Sequence, residues 1–168
     1  GDYADPVKNL SHTADLAKKY NKPIIITEGG SGYLSGNADT TTFAADRIRE
    51  AYTSLNMVYP QVKAIIHFDR SGSGYDYSLQ NNATVQAAYN SALKSNPTLM
   101  SSPSQTVTQS FKPLSQVTGA NGVVTLRAYC DVIGQTVTVT YSVDGKWVGT
   151  QKTVPYNCQL DTSTLTAG

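Results

Sequence analysis

The sequence predicts a mixed α/β segment followed by an all-β module, and two changes of periodicity carry that reading. Over residues 1–98, helical spacing alternates with short apolar runs in the order helix, strand, helix, strand, helix, which is the pattern of parallel βα units. Over residues 107–168 the period falls to two, as expected of an antiparallel sandwich with one solvated face. Between them, residues 99–106 include Ser101-Ser102-Pro103-Ser104, a linker composition.

In the first segment, Asp5-Pro6 offers an N-cap and a first-turn proline. Val7, Leu10, Ala14, Ala17 and Tyr20 then recur at helical spacing until Pro23. Ile24-Ile25-Ile26 is a β-branched run ending at Gly29-Gly30, the pattern of a strand buried on both faces. A second helix is expected over 42–58, with Ala44, Ile48, Ala51, Tyr52 and Leu55 on one side. After Pro60 comes a second apolar run over 62–68, then a Gly/Ser/Asp loop over 69–77, then a third helix over 83–94. Two parallel strands and three helices leave a sheet open, so this segment is expected to be an excerpt of a larger α/β domain. Gly1-Asp2-Tyr3 carries neither a basic stretch nor an apolar one, so no signal peptide is read at this start.

In the second segment Val137, Val139, Tyr141 and Val143 alternate with Thr136, Thr138, Thr140 and Ser142. Asp144-Gly145 then supplies a hairpin turn before Trp147 and Val148. Leu165 to Gly168 stops where another strand is expected. The 168 residues are 39% hydrophobic, enough for a packed core, and the net charge of +1 is spread without a basic patch. That distribution argues against a nucleic-acid partner. No apolar run approaches the ~18 residues of a membrane span.

Glu28 stands at the C-terminal end of the first apolar run, before four small residues, Gly29-Gly30-Ser31-Gly32. Strand ends of this kind present catalytic side chains in α/β barrels; the competing reading is a loop-capping or ion-paired carboxylate. Asp69 holds the matching place after the second run, beside His67 and Phe68. His67 and Phe68 offer a stacking platform for a sugar ring, against the alternative that they pack and hydrogen-bond locally. Tyr33, Tyr75, Asp76 and Tyr77 lie on the two loops and are candidates to line a glycan cleft. No Cys/His spacing suggests zinc, and no metal or cofactor is expected. Cys130 and Cys158 are the only cysteines, and an even pair in an exported domain is expected to form a disulfide; two buried thiols are the alternative. Trp147 is expected to pack rather than to stack on sugar.

Lys22-Pro23-Ile24-Ile25-Ile26-Thr27-Glu28-Gly29-Gly30 resembles the strand-7 nucleophile motif of clan-A glycosidases. In the same order, Tyr59-Pro60-Gln61-Val62-Lys63-Ala64-Ile65-Ile66-His67-Phe68-Asp69 is similar to the strand-8 motif of glycoside hydrolase family 26, the β-mannanase-like enzymes. Tyr75-Asp76-Tyr77-Ser78-Leu79 resembles that family's later acidic-aromatic motif, and Asn96-Pro97 its closing turn. The resemblance spans about 7–97. It implies that residues 1–98 are the last two βα units of a (β/α)8 TIM barrel. It also implies a retaining mechanism with Glu28 as nucleophile, acting on a β-linked polysaccharide of the mannan or mixed-linkage glucan class. The acid/base would come from strand 4 of the same barrel, in a parent chain upstream of Gly1. Gly29 and His67 stand where the family usually has an aromatic and a Trp, which bears on substrate preference.

The tail, with Val143-Asp144-Gly145-Lys146-Trp147-Val148-Gly149-Thr150, resembles bacterial immunoglobulin-like modules and implies a secreted or cell-surface location. The alternative to an enzyme is a non-catalytic glycan-binding or spacer protein with a degenerate barrel.

Overall fold

In the computed structural model the chain divides into two compact units, 1–109 and 110–168. The structure describes residues 5–100, 102, 104–106, 110–131 and 136–165. Ser101 and Pro103 of the expected linker, residues 107–109 and the closing 166–168 lie outside that set.

The first unit begins with α1 (Pro6–Lys19), capped by the Asp5 carboxylate, which accepts from the N–H of Val7 at 2.8 Å and of Lys8 at 3.0 Å. Asp5 is buried, and this pair of bonds satisfies two of the helix's orphan donors. β1 (Ile24–Gly29) follows, then two short strands, β2 (Leu34–Ser35) and β3 (Ala38–Asp39), that close a hairpin. α2 (Thr41–Val58) leads to β4 (Val62–His67). A second hairpin, β5 (Ser71–Gly72) and β6 (Tyr75–Asp76), precedes α3 (Ala83–Ser95).

β1 and β4 pair in parallel, Ile24 opposite Val62, Ile26 opposite Ile65 and Gly29 opposite His67. Ile24 and Val62 meet Ala14 and Ala17 of α1 in one core cluster. Ile48, Tyr52, Val85 and Ala92 of α2 and α3 form another with Tyr33. Ile65 packs against both clusters. Asn96 ends α3 before Pro97 and is buried; its amide donates to the Tyr52 carbonyl at 2.8 Å and to Asn56 Oδ1 at 3.0 Å, which ties the last helix to α2.

The expectation that these strands are buried on both faces is corrected. Ile25 is 60% and Ile66 54% exposed. Burial falls instead on Ile24 and Val62, with Ile26 and Ile65 half-buried, because these are the positions packed against helices. Parallel strands are ordinarily covered on both sides by their crossovers.

β1 also departs from strict alternation. Ile26 and Gly29 are three residues apart, yet they face Ile65 and His67, which are two apart. The extra residue is a bulge, and it leaves Thr27 and Glu28 both exposed in succession. Gly29 then approaches the core so closely that a Cβ there would lie 2.6 Å from Ile65 Cγ2.

The second unit holds two antiparallel pairs. β7 (Val123–Leu126) pairs with β10 (Cys158–Asp161), and β8 (Val139–Val143) with β9 (Lys146–Gln151). The β8–β9 turn is Asp144-Gly145, with φ of 50° and 75°, the left-handed pair that suits a right-twisted hairpin. Tyr141 reaches out of β8 to donate its hydroxyl to the Tyr156 carbonyl at 2.6 Å. A Cβ on Gly149 would stand 2.7 Å from Cys158 Sγ, so the glycine makes room for that thiol. Trp147 does not pack as expected: it is 69% exposed. It pairs with Ser142 on the exposed hydroxyl face of the hairpin, and a bulge beyond it, with Val148 as the extra residue, brings Thr150 to that face as well.

The Gly29–Ile65 approach yields a double-mutant test. Gly29→Ala should destabilise the protein by about 1–3 kcal/mol, the usual cost of overpacking. In an Ile65→Ala background the added methyl should cost much less, since its steric partner is gone. Urea melts of the four variants measure the coupling, and strict additivity would contradict the assignment.

Candidate functional site

The two loops that leave the C-terminal ends of β1 and β4 are the chemically interesting part of the first unit. Each folds back as a tight hairpin, and the two hairpins pair with one another, Leu34 opposite Asp76 and Ser35 opposite Tyr75. They form a four-stranded sheet in the order β3-β2-β6-β5. Gly36, Gly72, Ser73 and Gly74 adopt positive φ in its turns, which is why the loops are rich in glycine.

Glu28 is exposed at the bulged end of β1, and among the described residues it makes no salt bridge. With Gly29, Gly30, Asn9, Arg47 and Tyr52 it borders a pocket of about 270 Å³. The one cation in that lining, Arg47, is paired with Glu50 at 2.7 Å. Gly30 packs closely on the end of β4: a Cβ there would lie 3.2 Å from the Phe68 carbonyl oxygen and 3.5 Å from His67 Cε1.

His67 lies beside this strand end but is committed to internal bonds. Its Nδ1 lies 3.4 Å from the Tyr52 hydroxyl and its Nε2 3.2 Å from the Tyr77 carbonyl. Its ring is one of three, with Tyr52 and Tyr89, whose centroids lie 4.9–6.3 Å apart. The Tyr52 hydroxyl in turn donates to the Gly29 carbonyl at 3.2 Å. Burial, and next the neighbouring Tyr89, push the Tyr52 phenol well above its ordinary value, so it stays a neutral donor. His67 thus braces the strand ends, the local role that competed with a sugar platform. Phe68 packs edge-on against Tyr77 with centroids 5.2 Å apart.

Tyr33, expected to line a cleft, is 7% exposed and belongs to the helix core. Its hydroxyl donates to the Ser78 carbonyl at 3.1 Å, linking the two hairpins from below. Asp69 accepts from the Leu79 N–H at 3.1 Å and acts as a loop latch. Tyr75 is 48% exposed and remains available to a ligand. Sequence reasoning missed Asp76 as a keystone. It accepts from the Ser78 N–H at 2.9 Å and from the Asn81 amide at 3.2 Å; an Asp two residues before a Ser is the turn signal that could have identified it.

Cys130 and Cys158 stand as thiols, and the disulfide expected between them is not formed. Both lie close enough to Tyr141 to raise its phenol pKa, after burial, which is the larger cause. No group of three His, Cys, Asp or Glu side chains able to hold a metal occurs among the described residues.

By its elements the chain is a mixed α/β unit followed by an antiparallel β unit. Comparison with known families identifies the second. A family model described as a bacterial Ig domain matches residues 103–168, so that part of the chain is similar to bacterial Ig-like domains. No curated protein and no solved structure matches the chain. Bacterial Ig-like domains are often extracellular or surface-associated, and no described helix is long and apolar enough to cross a membrane.

Two predictions arise from these contacts. Asp76 is held below the ordinary carboxylate range, chiefly by the Tyr33 hydroxyl, with Ser78 and Asn81 adding to it. A depressed carboxylate stabilises the fold above its unfolded pKa of about 3.9, and that contribution is lost as pH falls through the lower folded value. The protection factor of the Ser78 amide, corrected for intrinsic exchange, should therefore fall on acidification below about pH 4, and Asp76→Asn should flatten the dependence. An unchanged pH profile in the Asn variant would exclude Asp76 as the group responsible. Separately, mild oxidation should join Cys130 to Cys158, the only two cysteines of the chain, both within electrostatic reach of Tyr141. Non-reducing mass spectrometry after alkylation reads this directly, and two alkylated cysteines would refute it.

Proposed function

We propose that the first unit is the end of a (β/α)8 glycoside hydrolase barrel, with Glu28 as the nucleophile of a retaining mechanism on a neutral β-linked polysaccharide. The observation that carries this reading is the bulge in β1. Bulges recur beside active sites because they re-aim a side chain at the cost of one ladder position. Here the bulge exposes a carboxylate at the C-terminal end of a parallel strand, next to two glycines that pack closely on β4 and the residue that follows it. The uncovered apolar face at Ile25 and Ile66 supports the same reading, since the interior of a barrel is where such residues pack.

In a retaining reaction the Glu28 carboxylate attacks the anomeric carbon, and the leaving oxygen takes a proton from a second carboxylic acid about 5–5.5 Å away. Water then attacks the glycosyl-enzyme ester, and the second carboxylate accepts its proton. That second group is assigned to a barrel strand outside residues 1–168. Within this chain, His67 and Tyr52 hold the β1 and β4 ends in register through the Gly29 carbonyl, and Tyr75 is the aromatic available to the sugar. Secretion follows the Ig-like module. A spacer or glycan-binding role without hydrolysis is the competing reading, and it predicts no activity in any form of the protein.

The 168-residue chain alone should show no turnover on mannan or mixed-linkage glucan. In a protein carrying the whole barrel, Glu28→Ala should lower turnover by several orders of magnitude, with partial recovery on adding azide as an external nucleophile. Near-normal hydrolysis by that variant would remove Glu28 from the mechanism.

A further inference from the structure

Trp147 is the largest exposed apolar side chain of the second unit, and its surroundings are uniform. The β9 bulge places Trp147 and Thr150 on the solvent side together, although they are three positions apart. Thr140 pairs with Thr150 across the hairpin, and Ser142 pairs with Trp147; all four are exposed. The indole Nε1 donates to Thr150 Oγ1 at 3.1 Å, and Thr150 Oγ1 lies 3.4 Å from Thr140 Oγ1. The indole is thereby held in one orientation with its donor already satisfied.

We propose that this strip of the β8–β9 hairpin is a carbohydrate-binding platform, on which Trp147 stacks against the C–H face of a neutral sugar and Ser142, Thr140 and Thr150 exchange hydrogen bonds with its hydroxyls. The chemistry of the strip selects that occupant. An aromatic face is electron-rich and attracts the weakly positive C–H edge of a pyranose. The four strip residues are uncharged, so they offer nothing to a polyanion such as nucleic acid. A protein partner would call for an apolar patch of several side chains in contact, whereas here one ring is bordered by hydroxyls. Fixing the indole beforehand lowers the ordering cost of binding. The platform stands independently of Glu28 and of the hydrolase assignment.

Trp147 is the only tryptophan in the chain, so its fluorescence reports on this site alone. Titrating the 168-residue protein with mannohexaose or cellohexaose should shift and quench the emission saturably. In calorimetry Trp147→Ala should weaken binding about tenfold or more, as truncation of a central aromatic contact does, while Trp147→Tyr should retain most of it. The emission change comes from Trp147 alone, which separates this site from the catalytic proposal. Circular dichroism of the Ala variant should be unchanged, since the residue is exposed. No emission shift at millimolar oligosaccharide would overturn the proposal, and so would undiminished binding by a folded Trp147→Ala protein.

Discussion

The first unit depends on the contact between Gly29 and Ile65. Ile65 is the side chain shared by the two core clusters, the one that joins α1 to the strands and the one that joins α2 to α3. It can sit there only because position 29 carries no Cβ. Close packing tolerates little added volume at such a point. The Gly29 backbone is used as well, its carbonyl accepting the Tyr52 hydroxyl and thereby tying the strand end to α2.

From that contact the geometry of the strand end follows. Gly29 returns to the helix side of the sheet with one residue more than alternation allows, so the surplus appears as exposed Thr27 and Glu28. The second unit uses the same device on β9, where Val148 is the surplus residue and Thr150 is brought to the exposed face that carries Trp147. In both units a backbone irregularity, rather than a special side chain, decides which residue is presented.

The loops beyond the strands are glycine-rich and yet built to a plan. Their hairpins pair with each other, Tyr33 fastens them from the core, and Asp76 and Asp69 cap their turns. Several polar residues that suggest chemistry in the sequence are thus spent on holding loop shape. The groups left presented near these loops include Glu28, at the end of β1, and Tyr75, on β6.

The sequence by itself determined the element order, because helical and strand periods depend on local spacing: Asp5-Pro6 starts a helix, Pro23 and Pro60 delimit the strands, and Asp144-Gly145 turns a hairpin. It also placed Glu28 at a strand end. Tertiary structure alone decided which side chains are presented. Ile25 and Ile24 are the same residue type in the same run, yet only Ile24 meets α1. Tyr33 and Tyr75 stand on similar loops, yet one is core and the other exposed. His67 reads as a ligand-facing group until Tyr52 and Tyr89, from two helices, close around it. Bulges are equally silent in the sequence, since one surplus residue in a strand is defined only against the partner strand it fails to match.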